Sequence, residues 1–431
     1  MDSADSESGS ARGRHGAITG LGAVTPIGVG IDAFREALRA GRSGVRLHGI
    51  EHPMLRGTVA APCDGFDASS VLERADLERL PRLVPMALAA AREAMAHAGL
   101  DASGDDRARR VGLILGTGAG GIDFTLDQAG LAYSDRRPSL WTITNATHGN
   151  LAGELSIRLG LRGPSLCVST GCASSSDACG LALDQLRTGR PGSPDAWVVV
   201  GADAHVRWET LSGMELLRVI STRDWCDEPG MAHSASRPFC ATRDGYVLGE
   251  GAWAAVIERP SFARRREAEP IGELLGYGAT CDAYHRVRPD PEMTECVRSI
   301  RLALEDAGVG PTEVDLVHYH GTATPLNDAS ETAAVKEAFG GHAPGLIGTS
   351  VKSLIGHPQG ASGLASLVAT MAGLVVSDRF CPPTMHLVEP DPDCDLDYCA
   401  NAARALGDAP RVALINCLAF GAKNSALVLR A

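Results

Sequence analysis

Short apolar runs, broken by glycines and polar turns, recur along this chain at intervals that helices can fill. Runs of this kind suit strands covered on both faces. They predict strands at Val111–Gly116, Ala196–Gly201, Tyr246–Glu258, Ile271–Tyr277, Val314–His320, Leu346–Val351, Val412–Cys417 and Ala426–Leu429. A first, short strand opens at His15 and ends in Gly20-Leu21-Gly22. Helical spacing occupies many of the intervals, so a layered α/β fold is expected.

Two stretches of the pattern look alike. Ala94-Met95-Ala96-His97-Ala98-Gly99-Leu100 ends a helix before the strand at Val111, and Ala303-Leu304-Glu305-Asp306-Ala307-Gly308-Val309 ends one before Val314. Each places glycine just past the helix end, where a left-handed residue is wanted. The turn Gly171-Cys172-Ala173-Ser174 has a counterpart in the run Gly356-His357-Pro358-Gln359-Gly360-Ala361-Ser362-Gly363. Two similar halves are therefore expected, residues 15–265 and 266–431, behind a polar tail at 1–14 that reads as disordered.

Composition narrows the picture. The 431 residues fit two or three domains, or one large duplicated one. With 44% apolar residues but only 4% aromatic ones, and 50 glycines, close backbone approach must replace bulky anchors. A formal charge of −12 argues against nucleic-acid binding. The tail has no apolar signal segment. The uncharged stretch Gly360–Ser377 carries too many small polar residues for a span, so a packed helix is expected and no membrane association. Twelve cysteines without a C-x-x-C pair suggest small buried residues of a reduced cytoplasm, and no metal site.

One cysteine differs in its setting. Cys172 stands between Gly171, which permits a tight turn, and an Ala/Ser run that opens what reads as a buried helix. A thiolate there meets the positive end of the helix, which is expected to lower its pKa. His320 ends an apolar strand and runs into Gly321-Thr322-Ala323-Thr324, a polar strand end of the kind where α/β folds bind ligands. His357 lies between Gly356 and Pro358. His318 shares the strand face of His320 without the glycine and is expected to be structural. Lys352, in an apolar glycine-rich setting, needs an anionic partner, for which Asp328 and Glu331 are the candidates. Gly20-Leu21-Gly22, Gly116-Thr117-Gly118-Ala119-Gly120-Gly121 and Gly360-Ala361-Ser362-Gly363 match neither a dinucleotide fingerprint nor a nucleophile elbow, and read as sites of close packing.

Together these segments resemble the β-ketoacyl-[acyl carrier protein] synthase II family of fatty-acid and type II polyketide condensing enzymes. The resemblance runs from about Gly16 to Leu429. It rests on Thr19-Gly20-Leu21-Gly22 with Thr25-Pro26-Ile27-Gly28, the Cys172 turn, Ser236-Arg237-Pro238-Phe239, and Arg243-Asp244-Gly245-Tyr246 through Gly251. The H-G-T-x-T-P block at His320, the K-S-x-x-G-H block ending at His357, and Pro382-Pro383-Thr384 complete it.

The resemblance implies the thiolase fold, an αβαβα five-layered sandwich of two similar halves. It implies a decarboxylative Claisen condensation that extends an acyl group on Cys172 by two carbons from malonyl-[acyl carrier protein]. His320 and His357 would donate hydrogen bonds to the malonyl thioester, and Lys352 and Glu331 would form the ion pair that orders them. The N–H groups of Cys172 and Phe420 would hold the oxyanion, with Phe420 as the gate. Thr322 and Thr324 would bind the pantetheine arm, and Ala119 and Met214 would line the acyl pocket. Arg218 and Arg223, with Arg74, Arg79 and Arg82 as additions, would dock an acidic carrier protein. No cofactor is implied beyond the carrier's phosphopantetheine, and a dimer is expected, either homodimer or heterodimer with a chain-length-factor-like subunit.

The chain also departs from the family. Where the family has N-S-F-G-F-G-G-T-N, this sequence reads Asn416-Cys417-Leu418-Ala419-Phe420-Gly421-Ala422-Lys423-Asn424. Alanines in place of two glycines should stiffen the gate. Ala119 and Met214 suggest a roomier acyl tunnel, which favours a polyketide or polyene pathway over housekeeping fatty acids. A thiolase-like acyltransferase, with Cys417 as a second cysteine, and a non-catalytic chain-length-factor-like subunit are the rival readings.

Overall fold

The computed structural model describes residues 15–375, 377–409 and 411–431; the tail at 1–14 lies outside them. Ten strands carry the fold: β1 (Gly16–Thr25), β2 (Val111–Gly116), β3 (Ser165–Val168), β4 (Ala196–Asp203), β5 (Gly251–Glu258), β6 (Gly272–Cys281), β7 (Leu316–His318), β8 (Ile347–Thr349), β9 (Val412–Ala419) and β10 (Lys423–Arg430). Hydrogen bonding orders them β8-β7-β9-β10-β6-β1-β5-β4-β2-β3.

Each half has the same internal order. Numbered by appearance within its half, each set runs third, second, fourth, fifth, first, with the first three neighbours parallel and the rest antiparallel. The two sets join where Gly16, Ala17 and Ile18 of β1 pair with Leu274, Glu273 and Gly272 of β6.

Five helices complete the layers: α1 (Leu83–His97), α2 (Ser174–Thr188), α3 (Thr294–Ala307), α4 (Pro325–Phe339) and α5 (Ser362–Leu374). One core packs α2 and α5 between residues of both strand sets, including Trp197, Ile257, Ile415 and Leu427. A second joins α1 to the outer face of the first set, and a third joins α3 and α4 to the outer face of the second. The result is the αβαβα sandwich of the thiolase fold. Every residue of α5 is buried, as the uncharged stretch containing it required, and no described helix is long and apolar enough to cross a membrane.

Glycine sets the layer spacing. A side chain at Gly20 or Gly22 would overlap the carbonyls of Ala94 and Ala90, so β1 lies directly on α1. Gly116 likewise faces the Ser175 backbone and Gly363 faces Ser176 at the crossing of α2 and α5. Gly99 and Gly308 take φ of 57° and 64°, the left-handed ends expected of the repeated helix-to-strand turn.

Strand limits differ from expectation in two ways. β1 runs on through its glycines to Thr25, because they sit under a helix rather than in a turn. Tyr246–Glu250 is not part of β5 but a buried connector, bridged singly to Ile220, His357 and Ala61. It is apolar because it is buried, not because it pairs in a ladder.

Replacing Gly22 with alanine should lower the thermal midpoint, at a cost of about 1–3 kcal/mol from overpacking. Gly130→Ala, in an exposed helical turn with open space around it, should instead raise stability by about 0.5–1 kcal/mol. Thermal melts of both variants check this; equal effects would refute the contact argument.

Candidate functional site

The turn that presents Cys172 is built from its neighbours. Gly171 takes φ 69°, and Gly171–Ala173 form a 3-10 turn leading directly into α2. The Ser174 hydroxyl donates to the Gly171 carbonyl at 2.6 Å and accepts from the Thr170 N–H at 2.9 Å, locking the turn. Cys172 is buried, and the backbone N–H groups of Phe420 and of Cys172 itself lie against its sulfur.

His320 follows β7, its backbone N–H donating to Glu331 Oε1 at 2.7 Å while that of Gly321 donates to Oε2 at 2.8 Å. Asn416 Nδ2 also donates to Oε1, at 2.7 Å. His357 is fixed through its own backbone: its N–H donates to Val247 O, and its carbonyl accepts from Gly249 N–H.

These supports bring the three side chains together. His357 Nε2 lies 3.2 Å from Cys172 Sγ, and one polar atom from each of Cys172, His320 and His357 falls within 4.8 Å of the others. The imidazoles meet edge-on, ring centres 5.2 Å apart. His318 is elsewhere, with Nδ1 on the Thr370 hydroxyl at 3.0 Å, which fits a structural residue.

Burial dominates the electrostatics. It pushes the Cys172 thiol up to about 11, against the opposing pull of the Lys352 ammonium and the Phe420 N–H. The helix-end argument from sequence gave the wrong sign, because removal of water outweighs the local dipoles. Burial and the Lys352 charge hold His320 and His357 well below the ordinary imidazole range, so both are neutral at pH 7. Glu331 is pushed up to about 7 by burial, opposed by the N–H groups it accepts.

The expected ion pair is corrected. Among the described residues, no salt bridge joins Lys352 to Glu331; Glu331 is taken up by backbone and Asn416 donors. Lys352 acts at longer range on Cys172, Cys417, Glu331 and Asp328. Cys417 donates to the Cys172 carbonyl at 3.1 Å, and burial raises its thiol well above the ordinary range, so it is no ready base.

A cavity of about 600 Å³ descends to this cluster. Thr322 and Thr324 line it, their hydroxyls 3.1 Å apart, and Thr324 also caps α4 by accepting from Asn327 N–H. Phe420 lines the floor from the three-residue turn between β9 and β10. In that turn Ala422 holds φ 63°, a strained conformation for alanine beyond the stiffening expected from sequence.

Arg218 lies at the mouth; Arg223 does not, pairing with Glu228 at 3.3 Å and covering Trp225. Arg82 is occupied by buried Glu250 at 2.8 Å, and Arg74 by Glu78, so neither is a free docking cation. Met214 packs in one apolar cluster with Tyr246 and Phe420, and the Ala119 N–H donates to Asp203 at 3.0 Å.

Sequence reasoning missed His285, Arg286, Arg288 and Lys423 at the mouth, Gln359 and Tyr246 near the sulfur, and His205 near His357. Arg286-Val287-Arg288, in the loop a few residues past the end of β6 at Cys281, was a visible signal for the first group. A polar residue inside a glycine-rich apolar run was the signal for Gln359.

Comparison with known proteins agrees with this geometry. The family model "Beta-ketoacyl synthase, N-terminal domain" matches residues 16–263, and "Beta-ketoacyl synthase, C-terminal domain" matches 271–388. The chain is 36% identical to 3-oxoacyl-[acyl-carrier-protein] synthase 2 of Synechocystis over 96% of its length and 97% of that protein's. It is 35% identical to the protein of that name from Coxiella burnetii, with the same coverage. Among solved structures, a type II polyketide ketosynthase bound to a hexaketide and in complex with its acyl carrier protein superposes with a TM-score of 0.86 at 28% identity. That match covers 97% of this chain and 100% of that one. The ishigamide ketosynthase/chain length factor superposes at 0.85 with 30% identity, covering 97% and 99%. The chain belongs to the beta-ketoacyl synthase family.

Proposed function

We propose that this chain is a β-ketoacyl-[acyl carrier protein] synthase that joins an acyl group to a malonyl unit with loss of CO2. The observation that carries this is the placement of Cys172 Sγ 3.2 Å from His357 Nε2, beside His320, at the floor of the cavity. Residues 15–265 supply the nucleophile and residues 266–431 supply both histidines.

In the first step Cys172 attacks the acyl thioester, its proton passes to neutral His357 and then to the departing carrier thiol, and an S–acyl bond replaces the old one. A malonyl thioester enters next, past Thr322 and Thr324. Its carboxylate leaves as CO2, the bonding electrons forming an enolate whose oxygen accepts from N–H groups of His320 and His357. Neutral imidazoles suit this role, since each offers one N–H without trapping a proton. For His357 that proton sits on Nδ1, against the Ser362 hydroxyl, when Nε2 takes the thiol proton, and on Nε2 when it donates to the enolate. The enolate carbon bonds to the acyl carbonyl, whose oxyanion lies against the N–H groups of Cys172 and Phe420. Collapse releases the β-ketoacyl product and the Cys172 thiolate, which takes up one proton from solvent to restore the thiol. The reaction uses no cofactor beyond the carrier's phosphopantetheine.

Ala119 and Met214 do not line the entrance cavity, but by the family resemblance they replace bulkier side chains, which favours a specialised polyketide or polyene chain over housekeeping fatty acids. The acyl carrier protein docks at the mouth, where Arg218, Arg286, Arg288 and Lys423 offset a net charge of −12. A dimer, either of two copies or with a chain-length-factor-like subunit, forms across the open edge of β3, where Leu166 and nearby Ile143 and Ile157 are exposed. Its site of action is the cytoplasm, whose reducing conditions suit twelve free thiols.

Incubation with acyl- and malonyl-carrier protein should release CO2 and yield a product two carbons longer, and Cys172→Ala should reduce this on the order of 10³-fold or more. Condensation that survives the substitution overturns the reading. Iodoacetamide should alkylate Cys172 at a rate rising about tenfold per pH unit from 7 to 10, since the thiol titrates near 11. Lys352→Met removes a charge that favours the thiolate, so alkylation should slow at every pH; a wild-type plateau near pH 7 would refute this electrostatic picture. Charge reversal at Arg218 and Arg288 should raise the carrier KM about tenfold or more at low salt with little change in kcat, and reversal at Arg223 should do less. An unchanged KM in the double variant would exclude docking at this mouth.

A further inference from the structure

Three polar side chains around Cys172 and His357 have donors with nothing to bond. Gln359 accepts from the Cys172 thiol through Oε1 at 3.6 Å, but its Nε2 has no partner. The Tyr246 ring stands edge-on to His357 at 5.0 Å, with its hydroxyl beside Gln359 yet without an aligned hydrogen bond. His205 is 1% exposed, and neither ring nitrogen has a hydrogen bond; Asp203, 3.9 Å from Nδ1, is filled by Thr117, Gly118, Ala119 and Gly360.

Tyr246 lines the entrance cavity beside Cys172, whereas Gln359 and His205 are buried next to it, Gln359 on the sulfur and His205 near His357. Ala119 adjoins His205 through the Asp203 carboxylate that its N–H shares, and Met214 packs with Tyr246. Gln359 is also held at φ 46°, an uncommon conformation for a non-glycine residue, in a 3-10 turn equivalent to the one bearing Cys172. A saturated acyl chain on Cys172 offers these groups no partner, a penalty that a chain with oxygen at the right place removes.

We propose that the acyl group carried on Cys172 keeps oxygen near its thioester, as a β-keto or β-hydroxy group, and that Gln359, Tyr246 and His205 select for it. This rests on the ketosynthase reading and narrows its substrate: the Gln359 amide, next to the sulfur, donates to the oxygen on C3, and the Tyr246 hydroxyl and His205 serve oxygens on either side or farther along the chain. A polyene or fully reduced chain has no oxygen to offer them.

Initial rates of Cys172 acylation by 3-oxooctanoyl- and octanoyl-carrier protein, read by intact-protein mass spectrometry, test this. The wild-type enzyme should favour the 3-oxo chain about tenfold or more in kcat/KM, and Gln359→Leu or Tyr246→Phe should each cut that ratio about tenfold. A wild-type ratio near one, or a ratio unmoved in both variants, overturns the assignment and means that water satisfies these groups. If octanoyl loads on Cys172 and is extended with CO2 release while the ratio is flat, only the oxygen selection falls; if neither acyl group loads, the ketosynthase reading falls as well.

Discussion

A thiol, two imidazoles and an ammonium group are buried together at the foot of the cavity, and the protonation of each follows from that burial. Desolvation favours neutral forms, so Cys172 is raised and both histidines are lowered. Lys352 keeps the balance from going too far: its charge depresses the histidines further while favouring the thiolate. The resting site therefore holds a neutral thiol beside a neutral base, a pair able to exchange a proton when an acyl carbonyl arrives without maintaining a buried thiolate beforehand.

That pocket exists because the chain is folded twice in the same way. The helix of each half that starts nearest the pocket, α2 or α5, follows a 3-10 turn, and the two cross where Gly363 meets Ser176 and Ser175 accepts from Leu364 N–H at 2.9 Å. Asp203 ties the halves at the same level, accepting from Gly118 and Ala119 of one and Gly360 of the other. The small-residue runs that match no ligand motif are thus what lets two backbones approach closely enough to put a cysteine from one half against histidines from the other.

Much of this was readable beforehand. Apolar runs gave nine of the ten strands, missing only the short β3 at Ser165–Val168; the repeated Ala-Gly turn pointed to duplication, and glycine settings singled out Cys172, His320 and His357 from among 12 cysteines and 13 histidines. What escaped was of two physical kinds. Charge state depends on how much water is removed, which no local motif states, so the helix-end argument at Cys172 failed. Partnerships depend on distances across the fold: Glu331 turned out to serve the backbone of His320 and Gly321 rather than Lys352, and the mouth cations come from segments far apart in sequence.

The same backbone also connects mouth and floor. The Gly421 N–H donates to the Arg286 carbonyl at 2.9 Å, and Asp282 N–H donates to the Ala422 carbonyl at 2.7 Å. The loop that exposes Arg286 and Arg288 is therefore bonded to both residues following Phe420, whose own N–H lies against the Cys172 sulfur. Ala422 at a positive φ keeps that turn under strain. On the proposed reading, a carrier protein docked on this loop would act on the same few peptide units as the proposed oxyanion site, joining docking and chemistry through a five-residue stretch of hairpin, Ala419 to Lys423.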